Sequence, residues 1–263
     1  VCDIVMVAPL VERDLHPRDP RPWSETRKRP CLHVIDPYPS TVTPAGLRRS
    51  RLQVLDGDPV NHWMRHAAEA AHQGCSCQAP ITRIVLSDLL QVPRSRFFFV
   101  GHVDQVRGPE GLERSAGMRL HEDSQAYSLS NTLGARPRLT DADLIRGIPI
   151  RRQDGPNPDD RLVPALAEDN NRNVPGPELW PMPPRVALIA CGSGVDLTLT
   201  EPLGLATAMV LAGAELVTAT LWSLPTDQTY AAYADPPRFS DLVQAVDEIQ
   251  QTDDPISELS AWQ

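Results

Sequence analysis

"VALIACGSG" (186–194) is an apolar run that ends on a cysteine and turns at once on two glycines. The run is continuous rather than alternating, the pattern of a strand covered on both faces in a parallel sheet. A cysteine inside it would be ordinary packing. At its last residue, Cys191 is held out at a sheet edge. Four other runs share this length and composition: "CDIVMVA" (2–8), "CLHVID" (31–36), "RFFFVG" (96–101) and "ELVTATLW" (215–222).

Helical patterns separate these runs. "NHWMRHAAEAAHQ" (61–73) and "ITRIVLSDLLQV" (81–92) predict helices ahead of the third strand. "EPLGLATAMVLAG" (201–213) predicts one between the last two, with Thr200 as N-cap, Pro202 in the first turn and Gly213 as the stop. A final helix is expected from about Asp241. Strand–helix alternation of this kind predicts an α/β fold with a mostly parallel central sheet flanked by helices on both faces.

Two proline-rich stretches read as irregular. Residues 9–30 suggest a linker or an ordered surface loop, so that 1–30 would be an N-terminal strand with its connecting segment and 31–263 the main domain. Residues 147–184 read as a long insertion with little room for secondary structure, a kind of loop that is usually functional or disordered. Ending at Trp262-Gln263, within a helical pattern, the chain is expected to be a piece of a longer protein.

At 263 residues the chain can bury a large core, and its formal charge of −9 argues against a dedicated nucleic-acid binder. The positive charge is almost all arginine, Lys28 being the single lysine. A basic stretch (13–52) and an acidic tail after Ser223 read as solvated faces, the basic one also as a docking surface for an acidic partner. No apolar run is long enough to cross a bilayer. Five irregularly spaced cysteines make no disulfide framework, and a reducing cytoplasm is expected.

In open α/β sheets ligands sit beyond the carboxyl ends of the strands. His102 follows "RFFFVG" and Cys191 follows "RVALIA". If their strands are neighbours, imidazole and thiol leave the same edge, the arrangement in which an imidazole promotes a nucleophilic thiolate. A tight turn after Cys191 frees its backbone N–H for a developing oxyanion, where one donor contributes roughly 3 kcal/mol. The N–H of Val103 is the natural second donor. Alone, each side chain also reads as packing: Cys191 as a small buried hydrophobe, His102 as a core histidine.

Other clusters carry less. His62, His66, His72, Cys75 and Cys77 are close in sequence, but Cys-x-Cys lacks zinc-ribbon spacing and His72 falls on a different helix face, so no metal is expected. "CGSG" has neither the full dinucleotide fingerprint nor a Walker lysine.

"FFFVGHVD", then "RVALIACGSG", then "EPLGLATAMVLAGAELVTATLWSLPTD" resembles the CHAT domain, a caspase-like family akin to separase and often fused to TPR repeats. "RLTDADLIRG" (138–147) sits where that family has a Leu-x-x-x-Asp-Leu segment. The resemblance runs from about Arg29 to the end and is strongest over 81–104 and 185–230. It implies a caspase-haemoglobinase fold and a cysteine endopeptidase of bacterial signalling or defence, acting on a protein or peptide substrate. His102 would be general base and acid, Cys191 the nucleophile, and the N–H groups of Val103 and Cys191 the oxyanion hole, with no cofactor. Asp227 would line the pocket for a basic P1 side chain, with Trp222 and Ser223 bordering the peptide groove; Asp227 also reads as the N-cap region of a helix, and Trp222 as core. The family has glycine where this chain has Val103, and a β-branched residue is poorly suited to positive φ and crowds the cleft. The rival expectation is a caspase-like interaction module that no longer cuts; a third is a small-molecule hydrolase or acyltransferase using the same dyad.

Overall fold

The structure is a computed structural model that describes residues 4–7, 21–35, 37, 76–77, 81–107, 114–120, 138–149, 173–191, 193, 204–221, 223–224 and 239–263. Its centre is a six-stranded sheet in the order β1-β11-β10-β4-β2-β3. These strands are β1 (Ile4–Val7), β2 (Leu32–Ile35), β3 (Ser76–Cys77), β4 (Arg96–Val100), β10 (Arg185–Ile189) and β11 (Leu216–Thr220). All neighbours pair in parallel except β1, which closes one edge antiparallel to β11. The five apolar runs are thus five strands of one sheet.

The continuous hydrophobicity of β2, β4, β10 and β11 follows from burial on both faces. Phe97 and Phe99 point into one core, and Phe98 and Val100 into the other. On β10, Val186 and Leu188 join the first core, and Ala187 and Ile189 the second. All three phenylalanines are fully buried, and each contributes on the order of 2–3 kcal/mol of apolar burial.

Helices cover both faces. The first core is closed by α2 (Arg83–Gln91) and α5 (Leu205–Leu211), the second by α6 (Phe239–Ile249) and α7 (Pro255–Trp262), α1 being the short Trp23–Thr26 turn. Thr82 caps α2 by accepting a hydrogen bond from the Val85 N–H at 3.2 Å. The expected helix over 201–213 is shorter: it begins at Leu205, with Gly204 rather than Thr200 at the N-cap, and its first turn closes from Ala208 N–H to the Gly204 carbonyl. Thr200 and Pro202 lie outside the described residues. The helix stop is as expected: Gly213, at φ 121°, donates to Val210 O while Ala214 donates to Met209 O, a Schellman ending that only glycine enters without strain. The expected helix over 61–73 and the His/Cys cluster's histidines lie outside the described residues.

A second, antiparallel sheet of β5 (Val103–Arg107), β6 (Arg114–Arg119) and β7 (Arg138–Thr140) leaves the main sheet directly after His102. Thr140 then starts α3 (Asp141–Arg146) through a capping box with Asp143.

The expectation of an unstructured 147–184 is corrected at both ends. β8 (Ile148–Pro149) pairs with β9 (Asn173–Val174), and α4 (Gly176–Leu179) follows. Trp180 is buried and donates from Nε1 to the Arg83 carbonyl at 3.0 Å. The prolines that read as breakers start α4 instead, where a missing N–H costs nothing. Of the two alternatives for 9–30, residues 21–30 follow the ordered one: Arg21 donates to Glu215, and the Arg185 guanidinium stacks 3.7 Å from the centre of the Trp23 ring.

Candidate functional site

Strands β4 and β10 are neighbours, and their register is regular: Arg185 lies opposite Arg96 and Ile189 opposite Val100. Pairing runs one residue further, the Gly101 N–H donating to the Ile189 carbonyl at 3.3 Å. His102 and Cys191 stand at the same sequence offset as every pair in this ladder. Both leave the carboxyl edge of the sheet from adjacent strands, which lie about 4.8 Å apart.

Gly101 packs closely on Phe99: a Cβ at this position would stand 2.9 Å from the Phe99 ring. His102, half-buried, follows, and its carbonyl accepts from the Arg119 N–H at 2.8 Å. Val103 opens β5 opposite Met118 and packs on the first core. Its extended strand conformation is one that β-branched residues favour, so no positive φ is demanded of it. Asp104, next in β5, accepts from Arg119 at 2.6 and 2.9 Å and from Arg138 at 2.9 Å. Burial would raise its carboxyl, but the two guanidiniums overcome this and hold it below the usual range. This bridge ties all three strands of the second sheet together directly behind His102. Sequence reading missed it, because its partners are 15 and 34 residues away.

Across the edge, Ala190 to Ser193 form a turn closed by the Ser193 N–H on the Ala190 carbonyl at 3.2 Å. Cys191 is the first residue inside that turn. Its Sγ donates to the Leu224 carbonyl at 3.5 Å, and its side chain packs partly on the second core. Ser193 locks the turn: its buried hydroxyl donates to Leu188 O at 2.6 Å and accepts from the Thr220 N–H at 3.1 Å, while the Thr220 hydroxyl donates to Ala190 O. "CGSG" reads as a glycine turn in sequence, yet its serine joins β10 to β11.

The Leu224 contact also brings the segment after β11 to the thiol. Ser223 is exposed there, one residue from the carbonyl that holds Cys191. Trp222 and Asp227 lie outside the described residues. The edge thus gathers His102, Val103, Cys191 and Ser223 from three adjacent strand ends. Among the described residues no helix is long and apolar enough to cross a membrane. No protein-family model matches the chain, and neither a curated protein nor a solved structure does.

Proposed function

We propose that the chain is a cysteine endopeptidase of caspase-like fold, in which Cys191 is the nucleophile and His102 its general base and acid. One observation carries the reading: thiol and imidazole leave the same edge of two hydrogen-bonded parallel strands. In the first step the Cys191 proton leaves the Leu224 carbonyl for the His102 ring, and the thiolate attacks a peptide carbonyl. The N–H groups of Cys191 and Val103 receive the oxyanion. His102 returns the proton to the leaving amine, giving a thioester and a free N-terminus. Water deprotonated by His102 then hydrolyses the thioester and restores the thiol.

The exposed Ser223 borders the groove, with Trp222, and Asp227 accepts a basic P1 side chain by a charge-assisted contact. The substrate is a protein or peptide, and a regulatory partner or a fused TPR-like region controls access to it. Within the expected loop over 147–184, Val174, Leu179, Trp180 and Met182 are core residues.

A reading as a non-cutting interaction module draws on one specific feature, the packing of half-buried Val103, in place of the family's glycine, against the first core beside the site. A thiol-directed peptide probe with arginine at P1 separates the two. Labelling of Cys191 that disappears in His102→Ala supports the peptidase. Equal labelling in both proteins, or none at Cys191, overturns it.

A further inference from the structure

The amino end of the main sheet, opposite the edge that carries Cys191, holds a cavity of about 280 Å³. It lies where β10 begins at Arg185 and β11 at Leu216, and the length of β10 sets it about 20 Å from Cys191. Arg21 and Trp23 line it from the N-terminal segment, and Asp253, Asp254 and Ile256 from the start of α7.

Arg185 is 7 % exposed, yet its guanidinium is only partly satisfied. Nη1 donates to the carbonyls of Gln250 and Thr252, both at 2.7 Å, and the group lies over the Trp23 ring. Among the described residues, Nε and Nη2 donate to no protein atom and no carboxylate pairs with them. Neither nitrogen is sealed from solvent, and the cavity is what reaches them. Across the ladder stands a second cation, Arg96. Burial and Arg96 lower the Arg185 pKa from 12.5 to about 10, outweighing Asp253 and Glu215, whose carboxylates pull the other way. A carboxylate seated on Nε and Nη2 supplies counter-charge in the paired geometry a guanidinium favours.

The acidic groups of the lining are open to a cation. Glu215 uses Oε1 for the backbone N–H and Nε of Arg21, which leaves Oε2 without a partner among the described residues. Asp253, its side chain 85 % exposed, meets Arg27 only at 3.8 Å. Asp254 is engaged in capping α7 through Ser257. The remaining lining is apolar: Pro184, Leu216, Pro255 and the half-exposed Ile256. A simple anion entering here meets the field of three carboxylates, and a simple cation meets Arg185. A ligand that carries both charges matches both.

We propose that this cavity binds a small zwitterion of the aliphatic amino-acid class, its carboxylate on Arg185, its ammonium on Glu215 and Asp253, and its side chain against Ile256 and Leu216. The volume stands at the small end of ligand sites, which suits a single amino acid and not a long peptide. The site is independent of the Cys191 reading.

The test titrates L-leucine into the folded chain by calorimetry, with leucinol, which lacks the carboxylate, and N-acetyl-leucine, which lacks the ammonium, as comparisons. One leucine per chain is expected, with either comparison compound binding at least about tenfold more weakly. Asp253→Lys, a change at an exposed side chain, is expected to weaken leucine binding about tenfold or more. In the wild-type chain the Arg185 Nε–H resonance is expected to shift as leucine saturates, a readout that needs no variant of this buried arginine. No binding up to about 10 mM leucine, equal binding of leucinol, unchanged affinity in Asp253→Lys, or an unmoved Arg185 resonance overturns the proposal.

Discussion

The Ser193 hydroxyl oxygen accepts a hydrogen bond from the backbone N–H of Thr220 at 3.1 Å, joining the turn that carries Cys191 to the end of the adjacent strand. Its own proton goes to the Leu188 carbonyl at 2.6 Å, so one buried oxygen serves two strands. Ser193→Ala leaves a buried N–H and a buried carbonyl short of a partner. The expected loss is about 1–3 kcal/mol in denaturant unfolding, with slower reaction of Cys191 towards a peptide probe. An unchanged unfolding midpoint would show that the turn holds without this lock.

Asp104 fastens β5, β6 and β7 behind His102 through Arg119 and Arg138. Asp104→Asn weakens both contacts while keeping the shape of the side chain. Hydrogen exchange is expected to quicken over 103–107, 114–119 and 138–140, and not in the centre of β4 and β10. Uniform acceleration across both sheets would mean that the bridge supports the whole core rather than this sheet.

The contacts of buried His33 with Cys31 and Asp247 predict a particular pH profile of stability. His33 is raised from 6.5 to about 9, so its contribution is complete below about pH 6.5 and is lost as pH climbs through about 9. Burial pushes the Asp247 carboxyl up, but His33 and Arg96 outweigh it and hold the group well below the usual carboxylate range. Its contribution is present above the ordinary carboxylate pKa and fades only in strong acid. Between pH 6.5 and 9 the wild-type chain should therefore lose on the order of 3 kcal/mol that His33→Gln does not lose. Parallel denaturation midpoints for the two proteins across that interval would contradict this.

The strands were legible because burial on both faces leaves an unbroken apolar run, as in Phe97 to Val100. The shared edge of His102 and Cys191 was legible in kind, since strand ends can be read from composition. That β4 lies beside β10 could not be read, because pairing over 89 positions depends on tertiary packing. Proline and glycine density misled over 173–184, where Pro175 and Pro177 start a helix and Trp180 fills the core. The Asp104, Ser193 and His33 contacts join residues distant in sequence, and no local pattern announces them. Only Gly213 declared its role outright, because a helix ending at positive φ has few other occupants.

The central claim is that the Cys191 thiol and the His102 imidazole act together on a peptide carbonyl. Its most direct measurement is the rate at which an arginine-P1 peptide acyloxymethyl ketone modifies Cys191, taken across pH in the wild-type chain and in His102→Ala. The account predicts modification confined to Cys191, with a rate that falls about a hundredfold or more in the variant. Equal rates in both proteins, or modification of other cysteines alone, would contradict it.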